Sequence, residues 1–255
     1  MKFTDTHTHL FSDAFDQDRN EVIQRAMDAG VHKFYLPNID AGTIDAMHDL
    51  EQAFPKNCFA MMGLHPSSVG EDYKEQLAII ESWLEKRDYA GIGETGIDLY
   101  WDKTHIEAQK ESFEQHVKWA KEKNRPLIIH CREAFDEIFE ILDRMNDDSL
   151  FGIFHCFTGN SEQAQHVIDY EGFKLGIGGV ATFKNGGLDK TLEGVSLQHL
   201  VLETDSPYLA PTPFRGKRNE SAYLINVAEK LCSIYNVSLA EVSKITEHNT
   251  KEIFK

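Results

Sequence analysis

Six histidine, glutamate and aspartate residues of this chain could bind divalent cations together, because most of them end a short apolar run of sequence. A lone histidine in such a place is usually a hydrogen-bonded core residue. Several histidines and carboxylates that end different apolar runs indicate a metal site instead, because the runs predict strands whose ends can meet. The six residues are His7, His9, Glu94, His130, His155 and Asp205.

The first two histidines are separated by one residue. On a strand, His7 and His9 would project to the same side and could reach one ion. The alternative is a pair of interior histidines that are satisfied by hydrogen bonds. Asp5 precedes His7 by two residues, so it would share that face and could orient an imidazole.

The remaining four residues each have a structural alternative as well. Glu94 lies between glycines that leave room for its carboxylate to bridge two metals, but a surface glutamate would show the same pattern. His130 and His155 end very apolar runs, where a buried structural histidine is also possible. Asp205 could bind metal and orient a water molecule, or it could cap a helix.

The ligand types indicate which ions would bind. Nitrogen and oxygen ligands without sulfur suit Zn²⁺, Mn²⁺ or a mixture that includes Mg²⁺. One catalytic Zn²⁺ uses about three protein ligands plus water, so six ligands are too many for a single ion. Two ions about 4 Å apart that share a carboxylate would use all six, and they would lower the pKa of water and clamp an in-line displacement. The sequence therefore predicts two divalent metal ions.

The elements that position these residues follow from the alternation of apolar runs and amphipathic segments. We expect strands near residues 3–8, 33–37, 58–63, 90–94, 127–130, 152–155, 173–177 and 200–204. We expect helices at 18–29, 105–123, 134–145, 220–235 and 238–247. This alternation is typical of a (β/α)8 TIM barrel, an α/β fold in which the strand ends converge on one face. An open doubly wound sheet is the alternative, but it does not easily bring five strand ends to one place. We expect a single domain over residues 1–255.

Composition narrows the class of protein. Of the 255 residues, 41% are hydrophobic, which is enough for a core and excludes a disordered chain. No apolar stretch approaches the ~20 residues of a membrane span, and no signal-peptide pattern is present. The four cysteines form no CxxC pair, so we expect reduced thiols and a cytoplasmic protein.

The net charge of −16 bears on the substrate. Proteins that bind duplex DNA by general electrostatics usually present a basic face, and this chain has no long basic run. If the protein acts on nucleic acid, bound metal ions must supply much of the positive field, with help from a few local arginines and lysines.

Taken together in their order along the chain, seven motifs resemble those of the TatD family of metal-dependent deoxyribonucleases, within the amidohydrolase-like metal-dependent hydrolases. Their joint order is specific, and they extend from residue 5 to residue 219. They are Asp5-Thr-His-Thr-His-Leu10, Gly63-Leu-His-Pro66, Ile92-Gly-Glu-Thr-Gly-Ile-Asp98, Pro126-Leu-Ile-Ile-His-Cys-Arg132, His155-Cys-Phe-Thr-Gly159, Glu203-Thr-Asp-Ser-Pro-Tyr-Leu209 and Arg215-Gly-Lys-Arg-Asn219.

The resemblance implies a TIM barrel that hydrolyses phosphodiester bonds from a 3′ end of single-stranded DNA. It implies that Glu94 bridges two ions, one held by His7, His9 and Asp205 and the other by His130 and His155. In the expected reaction a water molecule attacks phosphorus, and Asp205 orients that water and takes its proton. The expected partners are DNA ends, with no membrane and no obligate protein partner.

Further residues could assist. Glu203 lies two residues before Asp205 and could support it. His65, Arg132, Arg215 and Arg218 could bind substrate phosphates; the alternatives are a turn cap for His65 and structural ion pairs for the arginines. Aromatic residues in loops could stack bases or simply pack. These are Phe11, Tyr100, Trp101, Phe157 and Tyr208.

One position departs from the family pattern. The family commonly has proline two residues after the asparagine of the Arg-Gly-x-x-Asn motif, and here the residue is Ser221. We expect this change to loosen the loop that carries Arg215.

Two other functions fit the same residues. A related metal hydrolase could act on an amide, an ester such as a lactone, a small phosphoester, RNA or aminoacyl-tRNA. A metal-stabilised binding protein without catalysis would require a closed site, whereas these ligands point to an open rim.

Overall fold

The computed structural model describes residues 1–100, 103–184 and 186–255. Within them, parallel strands alternate with helices along the chain, and the strands form two hydrogen-bonded groups, β1-β2-β3 and β4-β5-β6-β7-β8. The strands are β1 (Phe3–Asp5), β2 (Val31–Pro37), β3 (Cys58–Met61), β4 (Ile92–Asp98), β5 (Leu127–Arg132), β6 (Gly152–Phe154), β7 (Phe173–Ile177) and β8 (Leu200–Leu202).

Backbone hydrogen bonds join the two groups of strands into a closed barrel. At one junction the Thr6 amide donates to the Leu202 carbonyl at 3.0 Å. At the other, the Met62 amide donates to the Gly91 carbonyl at 3.0 Å, and the Gly93 amide donates back to Met62 at 2.8 Å. The predicted (β/α)8 TIM barrel is confirmed.

The helices lie outside the barrel. They are α1 (Arg19–Asp28), α2 (Ile44–Ala53), α3 (Tyr73–Lys86), α4 (Ile106–Lys123), α5 (Phe135–Met145), α6 (Ser161–Asp169), α7 (Leu188–Glu193), α8 (Leu224–Tyr235) and α9 (Leu239–Ile253). All five expected helices are present, although α9 continues beyond the expected end at 247. Among the described residues, none of these helices combines the length and apolar character that crossing a bilayer requires.

Both faces of the strands are buried, which explains their continuous apolar runs. Every second residue of a strand points outward and packs against the helices in a large core. A second, smaller cluster combines residues from strands all around the barrel, so it fills the barrel interior. Its members are Tyr35, Met61, Ile128, Ile153, Val201 and Ile253. At the end of α9, Phe254 stacks on Tyr35 with ring centroids 3.6 Å apart, so the chain terminus packs against this cluster.

Candidate metal centre

The polar residues of the site lie directly above the apolar interior cluster. Strand side chains alternate between faces, so His130 shares the inward face of Ile128, and His155 shares that of Ile153. The same alternation places Glu203 above Val201. The strands therefore present an apolar layer and then a polar layer at their carboxyl ends, where TIM barrels carry their active sites.

Glu94 is at the centre of the polar layer. Its Oε2 atom lies 3.1 Å from His7 Nε2 and 3.5 Å from His9 Nε2. Its Oε1 atom lies 2.8 Å from His130 Nδ1 and 3.0 Å from His155 Nε2. The two carboxylate oxygens thus face two separate pairs of imidazoles, which is the arrangement of a bridging ligand.

Asp205 joins the first of these pairs. Its Oδ1 atom lies 3.4 Å from His9 Nε2 and 3.7 Å from His7 Nε2. Asp205 has a φ of 55°, in the left-handed region, which aspartate tolerates better than most residues. This turn after β8 brings the carboxylate to the Oε2 side of Glu94.

The nitrogen and oxygen atoms of the site are arranged to bind divalent cations rather than to hydrogen-bond with one another. The Nε2 atoms of His7 and His9 lie only 3.3 Å apart. Among the described residues, the Nδ1 atoms of both rings are buried without a hydrogen-bond partner. Ligand atoms of His7, His9 and Glu94 all lie within 4.8 Å of one another. Nitrogen and carboxylate donors that converge in this way can hold an ion on each side of Glu94.

The charges of the site also attract cations. Burial opposes ionisation of Glu94, but the neighbouring histidines hold its pKa well below the usual range. Burial would lower the pKa of His9, but its contacts with Asp205 and Glu94 raise it to about 9. Burial opposes protonation of His155 as well, yet Glu94 and Glu203 raise its pKa well above the usual value. The carboxylates therefore draw positive charge into the cluster.

Two glycines of β4 allow Glu94 to approach His130. Gly96 has a φ of +139°, and a Cβ atom there would lie 1.9 Å from the His130 carbonyl oxygen. Gly93 has a φ of +146°, and its Cβ would lie 2.7 Å from the Ile128 carbonyl oxygen. Glycine at both positions lets β4 lie close against β5, so that Glu94 reaches His130.

Asp98 is a site residue that the sequence analysis missed. Its Oδ2 atom lies 3.0 Å from His130 Nε2, so that nitrogen can donate to Asp98 and leave Nδ1, which lies 2.8 Å from Glu94 Oε1, to bind an ion. A carboxylate partner of this kind orients a metal-binding imidazole and makes it more basic. The signal was present in the sequence, because residues 94, 96 and 98 of one strand share a face.

His65 caps a turn, as one of the alternatives expected, and it also presents its second ring nitrogen to the site. Its Nδ1 atom accepts a hydrogen bond from the Ser67 amide at 3.0 Å and thereby caps the turn Pro66–Ser68. Its neutral ring therefore carries the proton on Nε2, which lies 3.2 Å from Glu94 Oε1. That N–H can donate to an anionic oxygen, so His65 is a hydrogen-bond donor rather than a third imidazole ligand.

Comparison with known proteins agrees with this geometry. The sequence profile of the family described as TatD related DNase matches residues 4–255. The chain belongs to the TatD family. The metal-dependent hydrolase YabD of Bacillus subtilis, described as uncharacterized, is 36% identical over 98% of both chains. The protein of Pantoea ananatis named 3′-5′ ssDNA/RNA exonuclease TatD is 28% identical over 98% of each chain.

A solved structure also matches the fold closely. The crystal structure of YjjV, a TatD homologue from Escherichia coli, has a TM-score of 0.92 and 29% sequence identity, and the match covers 99% of this chain and 97% of that one. With this barrel and these donors, the chain is a metal-dependent hydrolase of the TatD family.

In this TatD barrel, Glu203 lies behind the ligands. Its side chain is fully buried, its Oε1 atom accepts a hydrogen bond from the Cys156 amide, and the same atom lies 3.3 Å from His155 Nδ1. Glu203 therefore contacts the far side of His155 instead of the open face of the site. This position is suited to orienting a ligand.

Asp5 does not orient an imidazole, which corrects the expectation from sequence. Its Oδ1 atom accepts hydrogen bonds from the backbone amides of His7 at 3.4 Å and Thr204 at 2.9 Å. Its Oδ2 atom accepts from the Thr204 hydroxyl at 2.6 Å. Asp5 thus ties β1 to β8 immediately before the ligands His7 and Asp205.

The arginines that were expected to bind phosphate differ from one another. The Arg218 guanidinium donates to both carboxylate oxygens of Asp18 at 2.7 Å and to Glu220 at 3.1 Å, so the structure favours the ion-pair alternative for it. The Arg132 guanidinium lies 3.8 Å from the centre of the Tyr100 ring, and that of Arg215 lies 3.5 Å from the centre of the Phe183 ring.

Ser221 is fully buried at the start of the turn Ser221–Tyr223. Its hydroxyl donates to Thr8 Oγ1 at 3.3 Å, and Thr8 Oγ1 lies 2.6 Å from Ser206 Oγ. These contacts anchor the turn where a loosened loop was expected.

Phe157 is also buried and packs its ring against Phe135. Tyr208 is 54% exposed beside His9. Phe11 is buried, with its ring 5.7 Å from that of His9. Trp101, which was also considered for base stacking, lies outside the described residues.

Proposed function

We propose that this protein is a deoxyribonuclease that removes nucleotides from the 3′ end of single-stranded DNA by a two-metal mechanism with water as the nucleophile. The observation that carries the proposal is the position of Glu94, whose two oxygens face two separate ligand groups at the open end of the barrel. The named activity of the Pantoea ananatis relative supports a nucleic-acid substrate.

His7, His9 and Asp205 would hold one ion, and His130 and His155 would hold the other, with Glu94 between them. Two divalent ions in such a site ionise a water nucleophile and neutralise charge on the transferring phosphoryl group. Asp205 is the partly exposed carboxylate of the cluster, with 14% of its side chain accessible. It can therefore hold the attacking water and accept its proton.

The chain's own donors would position the phosphate. His65 Nε2 lies 3.2 Å from Glu94 Oε1, so an N–H at that position can donate to a phosphate oxygen beside Glu94. Arg132 ends β5 at the rim of the site, and Arg215 follows β8. Guanidinium groups bind phosphate oxygens in a bidentate manner, and we assign these two arginines to the substrate backbone.

The test uses a single-stranded DNA oligonucleotide labelled at its 5′ end, with the protein loaded with Mn²⁺, Zn²⁺ or Mg²⁺. We expect progressive shortening from the 3′ end, and we expect His130→Ala and Asp205→Ala to abolish it while circular dichroism shows an intact fold. His166→Ala is the matched control, because His166 pairs with Asp143 between α5 and α6. Full activity of either site variant after removal of metal would overturn the proposal.

A second candidate is hydrolysis of an amide, an ester, a small phosphoester, RNA or aminoacyl-tRNA by the same centre. The net charge of −16 favours the amide, the ester and the small phosphoester among these, because an acidic protein repels a long polyanion such as DNA, RNA or tRNA. Parallel assays on DNA and RNA oligonucleotides, aryl esters, dipeptides and aminoacyl-tRNA would separate the candidates. Shortening of DNA without turnover of the other compounds would dismiss this alternative.

A further inference from the structure

A cavity of about 730 Å³ lies at the end of the barrel opposite the metal centre, at the amino ends of three neighbouring strands. Lys2 directly precedes β1, His199 directly precedes β8, and Lys174 is the second residue of β7. Residues of helix α9 form most of the remaining wall. The cavity is within the usual size range of small-molecule sites, and none of the candidate metal ligands lines it.

The lining of this cavity carries excess positive charge, although the chain as a whole has a net charge of −16. Its described residues include four lysines and two glutamates. The Nζ atom of Lys174 lies 2.8 Å from Glu252 Oε2, so that pair is neutral. In the described part of the chain, Lys2, Lys244 and Lys251 have no carboxylate within ion-pair distance. A concave surface with such an excess of one charge attracts ions of the opposite sign.

Two half-buried side chains of the cavity have hydrogen-bond donors that are available to a ligand. The Lys174 ammonium group has three hydrogens. It donates to the Gln198 carbonyl at 3.0 Å and pairs with Glu252, which leaves one hydrogen for a ligand. Burial and the nearby Lys174 lower the pKa of His199, so its ring is neutral at pH 7 and has one N–H group. The described residues give this ring no hydrogen-bond partner, so the N–H group can donate to a bound molecule.

Hydrogen bonds hold α9 against the strand ends, so the cavity is preformed. The Asn249 side chain donates to the carbonyls of Leu197 at 2.9 Å and Leu200 at 2.7 Å. The Ser243 hydroxyl donates to the Lys2 carbonyl at 2.7 Å. A preformed site binds its ligand without first having to order the elements around it.

The lysines of α9 are better suited to binding than to folding. Lys244 and Lys251 are seven residues apart, about two helical turns, so they lie on the same face of α9, with His248 between them. Residues at this end of a TIM barrel usually serve stability. Like charges gathered on one helix face repel one another, however, and oppose folding. An anion bound between the two lysines would offset that repulsion.

We propose that this cavity binds a small molecule through its phosphate group, at a site separate from the metal centre. A phosphomonoester carries about two negative charges at neutral pH, which matches the positive charge that the two glutamates of the lining leave unneutralised. Lys244 and Lys251 bind the phosphate from α9, and Lys174 and His199 donate to it from the strand ends. This inference does not depend on the nuclease function proposed above.

The test is a titration of the Mg²⁺-loaded protein with inorganic phosphate, ribose 5-phosphate or ribose, followed by NMR of isotope-labelled histidine rings. The variant His199→Gln identifies the His199 signal, which reports on this cavity and not on phosphate at the metal centre. We expect both phosphates to shift that signal and ribose to leave it unchanged. Tighter binding of ribose 5-phosphate would identify organic phosphates as the ligand class, and equal binding would identify phosphate itself.

A pair of variants separates this cavity from the general charge of the protein. Lys244→Gln/Lys251→Gln should weaken the binding of both phosphates by about tenfold, because two charge-assisted contacts are lost. Lys118→Gln/Lys123→Gln is the matched control, because these lysines are exposed on helix α4 and the net charge changes equally. The control should bind phosphate as the unmodified protein does. Circular dichroism should show that both variants fold.

Several results would overturn the proposal. One is a His199 signal that phosphate does not shift, or that ribose shifts equally. Another is undiminished affinity in the α9 variant. An equal loss of affinity in the α4 variant would also overturn it, because phosphate would then respond only to the net charge of the protein.

Discussion

His116 and His155 are both buried histidines, at 0% and 3% exposure, and their surroundings shift them in opposite directions. Burial lowers the pKa of His116 to about 4. Burial also opposes protonation of His155, but Glu94 and Glu203 raise its pKa well above the usual value. The opposite pKa shifts result from the carboxylates around the His155 ring, because the two histidines are almost equally buried.

The hydrogen bonds of His116 complete the contrast. Its Nδ1–H donates to the Ser112 carbonyl at 2.7 Å, and its Nε2 accepts from the Leu64 amide at 3.0 Å. Both nitrogens are thus satisfied by backbone, and no lone pair remains for an ion. His155 directs Nε2 at Glu94 instead. His155 is suited to a metal centre because carboxylates surround it, and His116 is not.

Glu94→Gln removes the carboxylate on which this contrast depends, and it should have the largest effect. The amide is nearly the same size but cannot supply a charged oxygen to each ligand group. Two ions bridged by Glu94, as proposed, would contribute several kcal/mol to catalysis, so activity should fall by ~10³-fold or more. Metal content per chain, measured by mass spectrometry, should fall at the same time.

The exposed Glu162→Gln on α6 is the control for loss of one negative charge. Circular dichroism should show that both variants fold. A Glu94→Gln protein that binds two ions and keeps its turnover would mean that burial and histidines alone build the site.

His116 provides the pH-dependent side of the comparison. Between about pH 4 and 6.5 the unfolded chain binds the proton that folded His116 excludes, so this group contributes full stability above 6.5 and loses it as the pH falls. The contribution is about 3 kcal/mol. Urea unfolding at pH 7, 5.5 and 4.5 should show a steeper loss in the unmodified protein than in His116→Gln. Parallel pH dependences in the two proteins would contradict this role.

The sequence predicted that the six candidate ligands would lie together, and the structure brings them together, because their placement depends on local rules. His130 and His155 end apolar runs, and the barrel brings strand ends to one face whatever the details of the helices. The helices α2, α3, α6 and α7 were not predicted, since their apolar patterns are short or interrupted. The candidate site did not depend on these helices, because the strands and the segments directly after them place the candidate ligands.

Features that depend on partners distant in sequence were not predictable. The sequence left Arg218 open between phosphate binding and ion pairing, and its partner Asp18 lies 200 residues away. Asp98 is different, because the alternation along β4 already placed it on the face of Glu94.

Asp98→Asn is the mildest way to test what a carboxylate does for a buried imidazole. The Oδ2 atom of Asp98 lies 3.0 Å from His130 Nε2. Its Oδ1 atom accepts a hydrogen bond from the Tyr100 amide at 2.9 Å. Asparagine has one acceptor oxygen, so it can serve only one of these donors and carries no charge. Loss of such a partner costs ~10- to 100-fold in metal affinity or activity. Calorimetric titration with Mn²⁺ should show weaker binding, chiefly of one ion.

The position of Asp98 determines which of the two proposed ions should bind more weakly in Asp98→Asn. Asp98 contacts His130 and not His7 or His9, so the ion on the Oε2 side of Glu94 should keep its affinity. The exposed Asp45→Asn on α2 should change neither ion. Equal weakening of both ions would mean that Asp98 acts through the net charge of the cluster, whereas weakening of one ion shows that it acts by fixing the His130 ring.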